Sequence, residues 1–267
     1  MNYDTITPLI LMYNEALNIE RTLQKLTWAK EIVAIDSYSE DRTLEILRSY
    51  PQVKIFQRNF DTHTQQWNYG LAQIRSEWVL SLDADYVLTD LLTETFGTLI
   101  DPVTNGYFIP FKYCVFGQPL RGTILPPRLA LFKKASATYI DDGHTQLLEL
   151  KGRSSRLDAY IYHDDRKPLS RWLWAQDRYM VIESKKLLQT PDRELSWGDR
   201  IRKRKIFAPV IILIYCLILK GGILDGWQGW YYAFQRTLAE TLLSIHIIEA
   251  EYLREQLTVD SEVVKEI

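Results

Sequence analysis

Two carboxylates separated by one residue, Asp83-Ala84-Asp85, close the apolar run Trp78-Val79-Leu80-Ser81-Leu82. That run reads as a short buried strand, so both acids stand at its carboxyl end. In an open α/β sheet, ligands bind outside those ends. Hard divalent cations take oxygen ligands, and Mg²⁺ uses one or two carboxylates while waters and substrate phosphates complete its shell. The triplet therefore predicts a metal held between protein and a phosphorylated substrate. Many such triplets are solvated turns, so the elements around this one decide its meaning.

Those elements alternate along the first hundred residues. Residues 5–11 are apolar and β-branched, and Ala16, Ile19, Leu23 and Leu26 then recur at helical spacing. Residues 31–35 predict a second strand. Ser37 and Glu40 have capping-box spacing and predict the start of a helix carrying Leu44 and Leu47, ended by Pro51. A strand at 53–56, a helix at 64–74 and a strand at 78–82 follow. This order predicts a parallel sheet with right-handed crossovers. Beyond Asp85 the pattern changes to a helix around 91–100 and short strands at 106–111, 128–132, 146–150 and 158–162. Gly117-Gln118-Pro119, Pro126-Pro127 and Asp141-Asp142-Gly143 mark turns between them. So irregular a half suits an acceptor-binding region, or any mixed sheet edge.

Composition narrows the class. A net charge of −2 gives no global attraction to nucleic acid, and a hydrophobic content of 46% suffices for a full core. The two cysteines, Cys114 and Cys216, are far apart in apolar stretches and fit a reducing compartment. Met1-Asn2-Tyr3-Asp4 lacks the charged and apolar regions of a secretory signal.

Three segments should meet at the top of the sheet: Tyr13-Asn14-Glu15 after the first strand, Asp36 to Thr43 after the second, and Asp83-Ala84-Asp85 after the fourth. Acidic and amide side chains there can hold a base and a ribose while a metal holds phosphates. Glu15 and Asp41 could equally serve helix starts, and Asn68 a helix surface.

The set Pro8, Tyr13-Asn14-Glu15, Asp36-Ser37-x-Ser39-x-Asp41-x-Thr43 and Leu82-Asp83-Ala84-Asp85 resembles the family-two inverting glycosyltransferases of the GT-A nucleotide-diphosphosugar fold. Gln66-x-Asn68, Pro127-Arg128-x-x-Leu131-Phe132, Gly143-His144, His163 and Leu224-Asp225-Gly226-x-x-Gly229 resemble the branch related to lipopolysaccharide-core β-glucosyltransferases. The resemblance implies a Rossmann-like, mostly parallel sheet. It implies a UDP-sugar donor, Mg²⁺ or Mn²⁺, and a glycan or glycolipid acceptor. Tyr13, Glu15 and Asp36 would hold uracil and ribose. Asp83 would touch ribose or metal, and Asp85 would bind the metal that bridges the diphosphate. Pro8, Asn14, Ser37, Gln66, Asn68 and Ala84 would complete the donor site, while Arg128 and His144 would meet phosphate or acceptor. His163 is a candidate metal ligand, although a lone histidine is more often structural.

Inverting transfer needs a base for the acceptor hydroxyl as the anomeric carbon is attacked from the far side. The branch implies a His-Glu pair, but His144 is followed by Thr145 and Gln146. Asp142 becomes the first candidate and Asp141 the second, unless Asp142-Gly143 only reverses the chain. Asp83-Ala84-Asp85-Tyr86-Val87 also fits the haloacid-dehalogenase phosphohydrolase signature with Asp83 as nucleophile, but that motif normally follows the first core strand. A nucleotidyltransferase would bring a Gly-rich phosphate loop, and none follows Leu11. A dead sugar-binding scaffold would be expected to lose a metal carboxylate.

The expected organisation is a catalytic domain over 1–168, with a donor half at 1–100 and an acceptor half at 101–168, and a helical region over 169–267. In that region Arg200, Arg202, Lys203, Arg204 and Lys205 precede 14 uncharged residues, 206–219, too few for a span of about 20 residues. Trp227, Trp230, Tyr231, Phe234, Leu238, Leu242, Ile245 and Ile248 line one helical face. Bases beside an apolar stretch predict a monotopic contact with an anionic leaflet, at the inner face of the cytoplasmic membrane. The alternative is a helix pair packed on a core.

Overall fold

The computed structural model describes residues 2–99, 101–142 and 145–263. Strand β1 (Ile6–Met12) is buried at every position but one, as a strand covered on both faces must be. Helix α1 (Ile19–Gln24), β2 (Ile32–Asp36), α2 (Thr43–Arg48), β3 (Val53–Gln57), α3 (His63–Gln73) and β4 (Trp78–Asp83) follow in alternation. β1 pairs in parallel with β2 and β4, and β2 with β3. Parallel neighbours need long crossovers, and the helices supply them. All four strands therefore end on one side, which gathers the loops after Met12, Asp36 and Asp83.

The chain continues through β5 (Tyr86–Leu88), α4 (Asp90–Thr98), β6 (Thr104–Ile109), β7 (Phe111–Val115), β8 (Gln118–Pro119), β9 (Arg128–Lys133), β10 (Ala137–Asp142), β11 (Thr145–Leu150), β12 (Arg153–Arg156) and β13 (Ile161–His163). Among the described residues the main sheet has the order β12-β6-β9-β4-β1-β2-β3. It is mostly parallel, with β9 antiparallel to both β4 and β6. A second sheet runs β5-β13-β7-β8, and β10 and β11 form a hairpin. One core face holds Ile10, Leu23, Ile32, Leu80 and Phe96; the other holds Leu9, Val33, Trp67 and Val79.

The chain divides into two compact units, Met1–Lys167 and Pro168–Ile267. The second contains α5 (Leu169–Gln189), α6 (Trp197–Lys203), α7 (Phe207–Ile214), a π-turn (Tyr215–Leu219), a 3-10 turn (Gly222–Asp225) and α8 (Gly226–Val263). Ser196 caps α6 by accepting from the Asp199 N–H. Met180, Leu187, Leu195, Leu243 and Ile247 are packed together in its core. Both cysteines are buried and free. Burial pushes Cys114 up to about 12 and raises Cys216.

Several elements differ from the expectation. The Ser37–Glu40 capping box does not form: α2 opens at Thr43, and the side chain of Arg42 at its cap pairs with Glu45 rather than capping the helix. The Ser37 hydroxyl accepts instead from Gln66 Nε2 at 2.9 Å. The strand expected at 106–111 is divided at Pro110, which has no N–H for a ladder. The strand expected at 158–162 begins only at Ile161, because the chain bends at 158–159. Asp141 and Asp142 are not turn residues; they end β10, paired with Gln146 and Thr145.

Gly70 is where α3 meets the sheet. A Cβ there would lie 2.6 Å from Leu9 Cδ1 and 3.2 Å from Ile35 Cγ1, and both neighbours are fully buried. Gly70→Ala is expected to lower stability by about 1–3 kcal/mol through overpacking, measured by urea unfolding.

Candidate active site

The loops after β1 and β2 are joined through side chains. Asn14 takes a left-handed backbone with φ 55°, which asparagine tolerates better than most residues. Its N–H donates to Ser39 Oγ and its Oδ1 accepts from the Glu40 N–H, both at 2.8 Å. The Glu15 N–H donates to Thr43 Oγ1 at 2.8 Å, and the Ala16 N–H to Asp41 Oδ2 at 3.1 Å. Asp36 is fully buried and accepts from the Ser39 N–H at 3.0 Å and Gln57 Nε2 at 3.1 Å. Tyr13 is 41% exposed at the rim of the same loop.

A second group centres on Asp85. Antiparallel pairing of β13 with β5 sets His163 opposite Tyr86, one residue beyond Asp85. His163 Nε2 lies 3.1 Å from Asp85 Oδ2. Its ring stands edge-on between Tyr86 and Tyr113, with centroids 5.1 Å away on each side. Among the described residues its Nδ1 is buried without a hydrogen-bond partner, and the ring is held by its bond to Asp85. Burial by itself would raise Asp85 and lower His163. Their mutual attraction outweighs it, holding Asp85 below and His163 above its ordinary value.

Glu15 completes the acidic cluster. Its Oε1 meets Lys167 Nζ at 2.6 Å and its Oε2 accepts from Asn18 Nδ2 at 2.9 Å. Burial pushes Glu15 up to about 7 against the pull of Lys167, and negative Asp85 adds to the rise. Asn18 also bonds Asp165 Oδ1 at 2.9 Å. Lys167, Asn18 and Asp165 are absent from the sequence reading. The signal for Lys167 and Asp165 is the charge run Asp164-Asp165-Arg166-Lys167 directly after His163; Asn18 carries none.

Other predicted residues fall in different places. Asp83 is 43% exposed, 3.4 Å from Arg128 Nη1, which donates to Tyr86 Oη at 2.7 Å. The buried Ala84 carbonyl accepts from Thr22 Oγ1 at 2.7 Å. Pro8 is buried in the body of β1, paired in register with Leu80. It lies before the strand end, where the loops after Met12 and Asp83 begin. Gln66 is buried and bridges Ser37 Oγ and the Arg58 carbonyl. Asn68 spends its amide on β10: Nδ2 donates to the Tyr139 carbonyl at 2.9 Å, and Oδ1 accepts from the Tyr139 N–H at 3.1 Å. Asp141 is exposed near the end of β10. His144 and the Asp142 side chain lie outside the described residues.

A carboxylate suits a hard divalent cation, and an imidazole suits softer divalent ions. Among the described residues no three His, Cys, Asp or Glu side chains converge on one point. Asp85 and His163 stand together as a hydrogen-bonded pair. Atoms each about 2.1 Å from one ion at a right angle stand about 3.0 Å apart, and the Asp85–His163 separation is 3.1 Å. Two protein ligands leave room for substrate phosphates, as Mg²⁺ chemistry requires. Asp83, already paired with Arg128, is the poorer ligand.

Residues 9–123 match the family model described as Glycosyl transferase family 2. The SPbeta prophage-derived glycosyltransferase SunS of Bacillus subtilis (strain 168) is 33% identical over 87 residues, 30% of this chain and 20% of that protein. The match thus spans a fifth of that relative's length. Among solved structures, the mannosyltransferase PcManGT from Pyrobaculum calidifontis, in complex with GDP-Man and Mn²⁺, aligns with a TM-score of 0.50 at 15% identity. That alignment covers 93% of this chain and 86% of that one. S. aureus TarS 1-349 in complex with UDP-GlcNAc aligns at 0.49 and 17% identity over 94% and 92%. The architecture is α/β and GT-A-like, with a C-terminal helical extension.

The Asp85–His163 pair has a definite pH signature. The raised histidine contributes stability below its ordinary value and loses it as pH rises through the raised one. The depressed carboxylate contributes above its ordinary value and loses it as pH falls through the depressed one. The pair therefore contributes most between about pH 4 and 6.5. His163→Gln is expected to cost about 1–2 kcal/mol near pH 6 and less near pH 9. Urea titrations of both proteins at the two pH values measure the difference.

Proposed function

We propose that this chain is a metal-dependent, inverting glycosyltransferase that moves a hexose from a UDP-sugar to a hydroxyl of a membrane-associated glycan or glycolipid. The acceptor would be of the cell-surface polysaccharide or lipopolysaccharide-core kind, met at the inner face of the cytoplasmic membrane. The observation that carries the donor half is the Asp85–His163 pair at a parallel-sheet strand end beside Glu15, with Asp85 and Glu15 inside the family-two segment.

Tyr13, Glu15 and Asp36 would hold uracil and ribose at the ends of β1 and β2. Asp85 and His163 would hold Mg²⁺ or Mn²⁺, which when bound stabilises charge on the departing nucleoside diphosphate as a Lewis acid. His163 must give up its Nε2 proton to act as a ligand, so metal affinity rises with pH through its titration. Lys167, salt-bridged to Glu15 and within the field of Asp85, keeps a positive charge near three carboxylates that would otherwise repel a diphosphate.

The base would come from β10. Every second residue of a strand shares a face, so Asp141 shares the face of Tyr139. Tyr139 is buried against Trp67 and feels the charges of Asp83 and Arg128. That shared face favours Asp141 over Asp142. Asn68, which grips the Tyr139 backbone at both polar atoms, would be a positioning residue for this strand. A phosphohydrolase with Asp83 as nucleophile finds no support, because the matching segment is family two and Asp83 is engaged by Arg128.

A panel of UDP-sugars and GDP-mannose with Mn²⁺ tests the donor. At a hundredfold excess over Kd the true donor stabilises the fold by about 2.7 kcal/mol, read as a rise in Tm. No rise with any UDP-sugar refutes the donor assignment. Asp85→Asn should reduce transfer at least about a hundredfold with the fold intact. Asp141→Asn should reduce kcat with little change in donor KM, while Asp142→Asn stays active; the reverse outcome moves the base to Asp142.

A further inference from the structure

The helical unit turns apolar side chains outward where a solvated helix would carry polar ones. On α7 and the π-turn, Phe207, Val210, Ile211, Ile214 and Ile218 follow helical spacing and are between 44% and 62% exposed. Leu219 and Leu224 at the bend are 73% and 65% exposed. On α8 the stripe continues through Trp227, Phe234 and Ile245, at 59%, 56% and 55%. We propose that this surface is buried in the acyl-chain layer of one membrane leaflet, with α7 and α8 lying in the interface rather than crossing it. The proposal deepens the acceptor half of the reading above, and binding to lipid tests it without reference to the donor.

Charge placement identifies lipid as the occupant. Residues 206–219 contain no charged side chain. The basic run before them, read from sequence as a headgroup patch, is largely neutralised within the unit. Arg202 pairs with Glu183 at 2.7 Å and Glu240 at 3.1 Å, Lys203 with Asp192 at 2.6 Å, and Lys205 with Glu251. These cations have partners within the unit, so the apolar face rather than the basic run carries the proposal. Arg200 donates to the Leu195 and Arg193 carbonyls, and two further cations flank the uncharged run. Arg204 is exposed, and Lys220 reaches back over the Tyr215 ring, 5.5 Å from its centroid. Cations that flank an apolar stretch meet phosphates at headgroup depth while the stretch lies below.

Geometry sets the depth. Among the described residues no single helix is long and apolar enough to cross a membrane; Phe207–Leu219 and Gly222–Arg254 reach that length and composition only as a pair bent by 67°, the form of a broken or re-entrant segment. The bend is locked by backbone contact: a Cβ on Gly229 would lie 1.8 Å from the Gly222 carbonyl oxygen. A protein partner is a poorer occupant. Protein interfaces of ordinary size carry about one hydrogen bond per 100–200 Å², yet the α7 stripe presents no side chain that can form one.

Flotation of the full chain with vesicles decides the matter. Binding to pure phosphatidylcholine vesicles is expected, and about 0.5 M salt, which shortens electrostatic reach to a few ångströms, should not release it. Ile214→Glu and Ile218→Glu are exposed changes that leave circular dichroism and Tm intact and should each weaken binding at least tenfold. Arg204→Gln should weaken it less than threefold. A requirement for anionic lipid with release by salt overturns the proposal. So does undiminished binding of both glutamate variants. Failure to float, with a dimer that Ile214→Glu dissociates, also overturns it and assigns the face to a second copy.

Discussion

Burying negative charge at the ends of parallel strands is the constraint around which the first unit is arranged. Glu15, Asp36 and Asp85 are held there largely out of water, and an unpaired buried carboxylate is too costly to keep. Each therefore organises a neighbourhood. Asp36 orders the loop to Ser39 and draws Gln57 across from β3. Asp85 fixes His163, and the short β5–β13 ladder exists where that contact requires it. Glu15 recruits Lys167 and Asn18 from opposite ends of the unit's sequence. The same desolvation strengthens the attraction between these acids and the donors packed against them.

The parallel strands and their order were legible because their signal is local. A run such as Ile32–Asp36, buried at every position, announces a doubly covered strand by composition alone. The acids after β1, β2 and β4 follow from that, since topology forces their meeting. Pairings across long separations were not legible. Nothing local says that Lys167 will reach Glu15, or that both polar atoms of Asn68 will be taken by Tyr139. Helix boundaries failed where side-chain chemistry had a competing use. Ser37 and Glu40 have capping spacing, yet Gln66 claims the Ser37 hydroxyl and Asn14 claims the Glu40 N–H.

The second unit shows the opposite failure. Its basic run looked like a surface feature because lysines and arginines usually are. The structure uses Arg202 to tie α6 to α5 and α8, so charge density in the sequence overstated charge available to a ligand. The apolar residues of 206–219, expected either at a membrane interface or in a core, divide between the two: Ala208, Cys216 and Leu217 are buried, while Phe207, Val210, Ile214 and Ile218 are exposed. Periodicity locates a stripe, but only the neighbours decide whether it faces in or out.

The burial of Cys114 and Cys216 has a practical corollary. A thiol reacts as its thiolate, and both are kept protonated and covered. The native surface is therefore inert to maleimides and nitroxide reagents. A single cysteine introduced on an exposed position of either unit would be the sole point of attachment, which makes the unaltered background of this chain ready for distance spectroscopy.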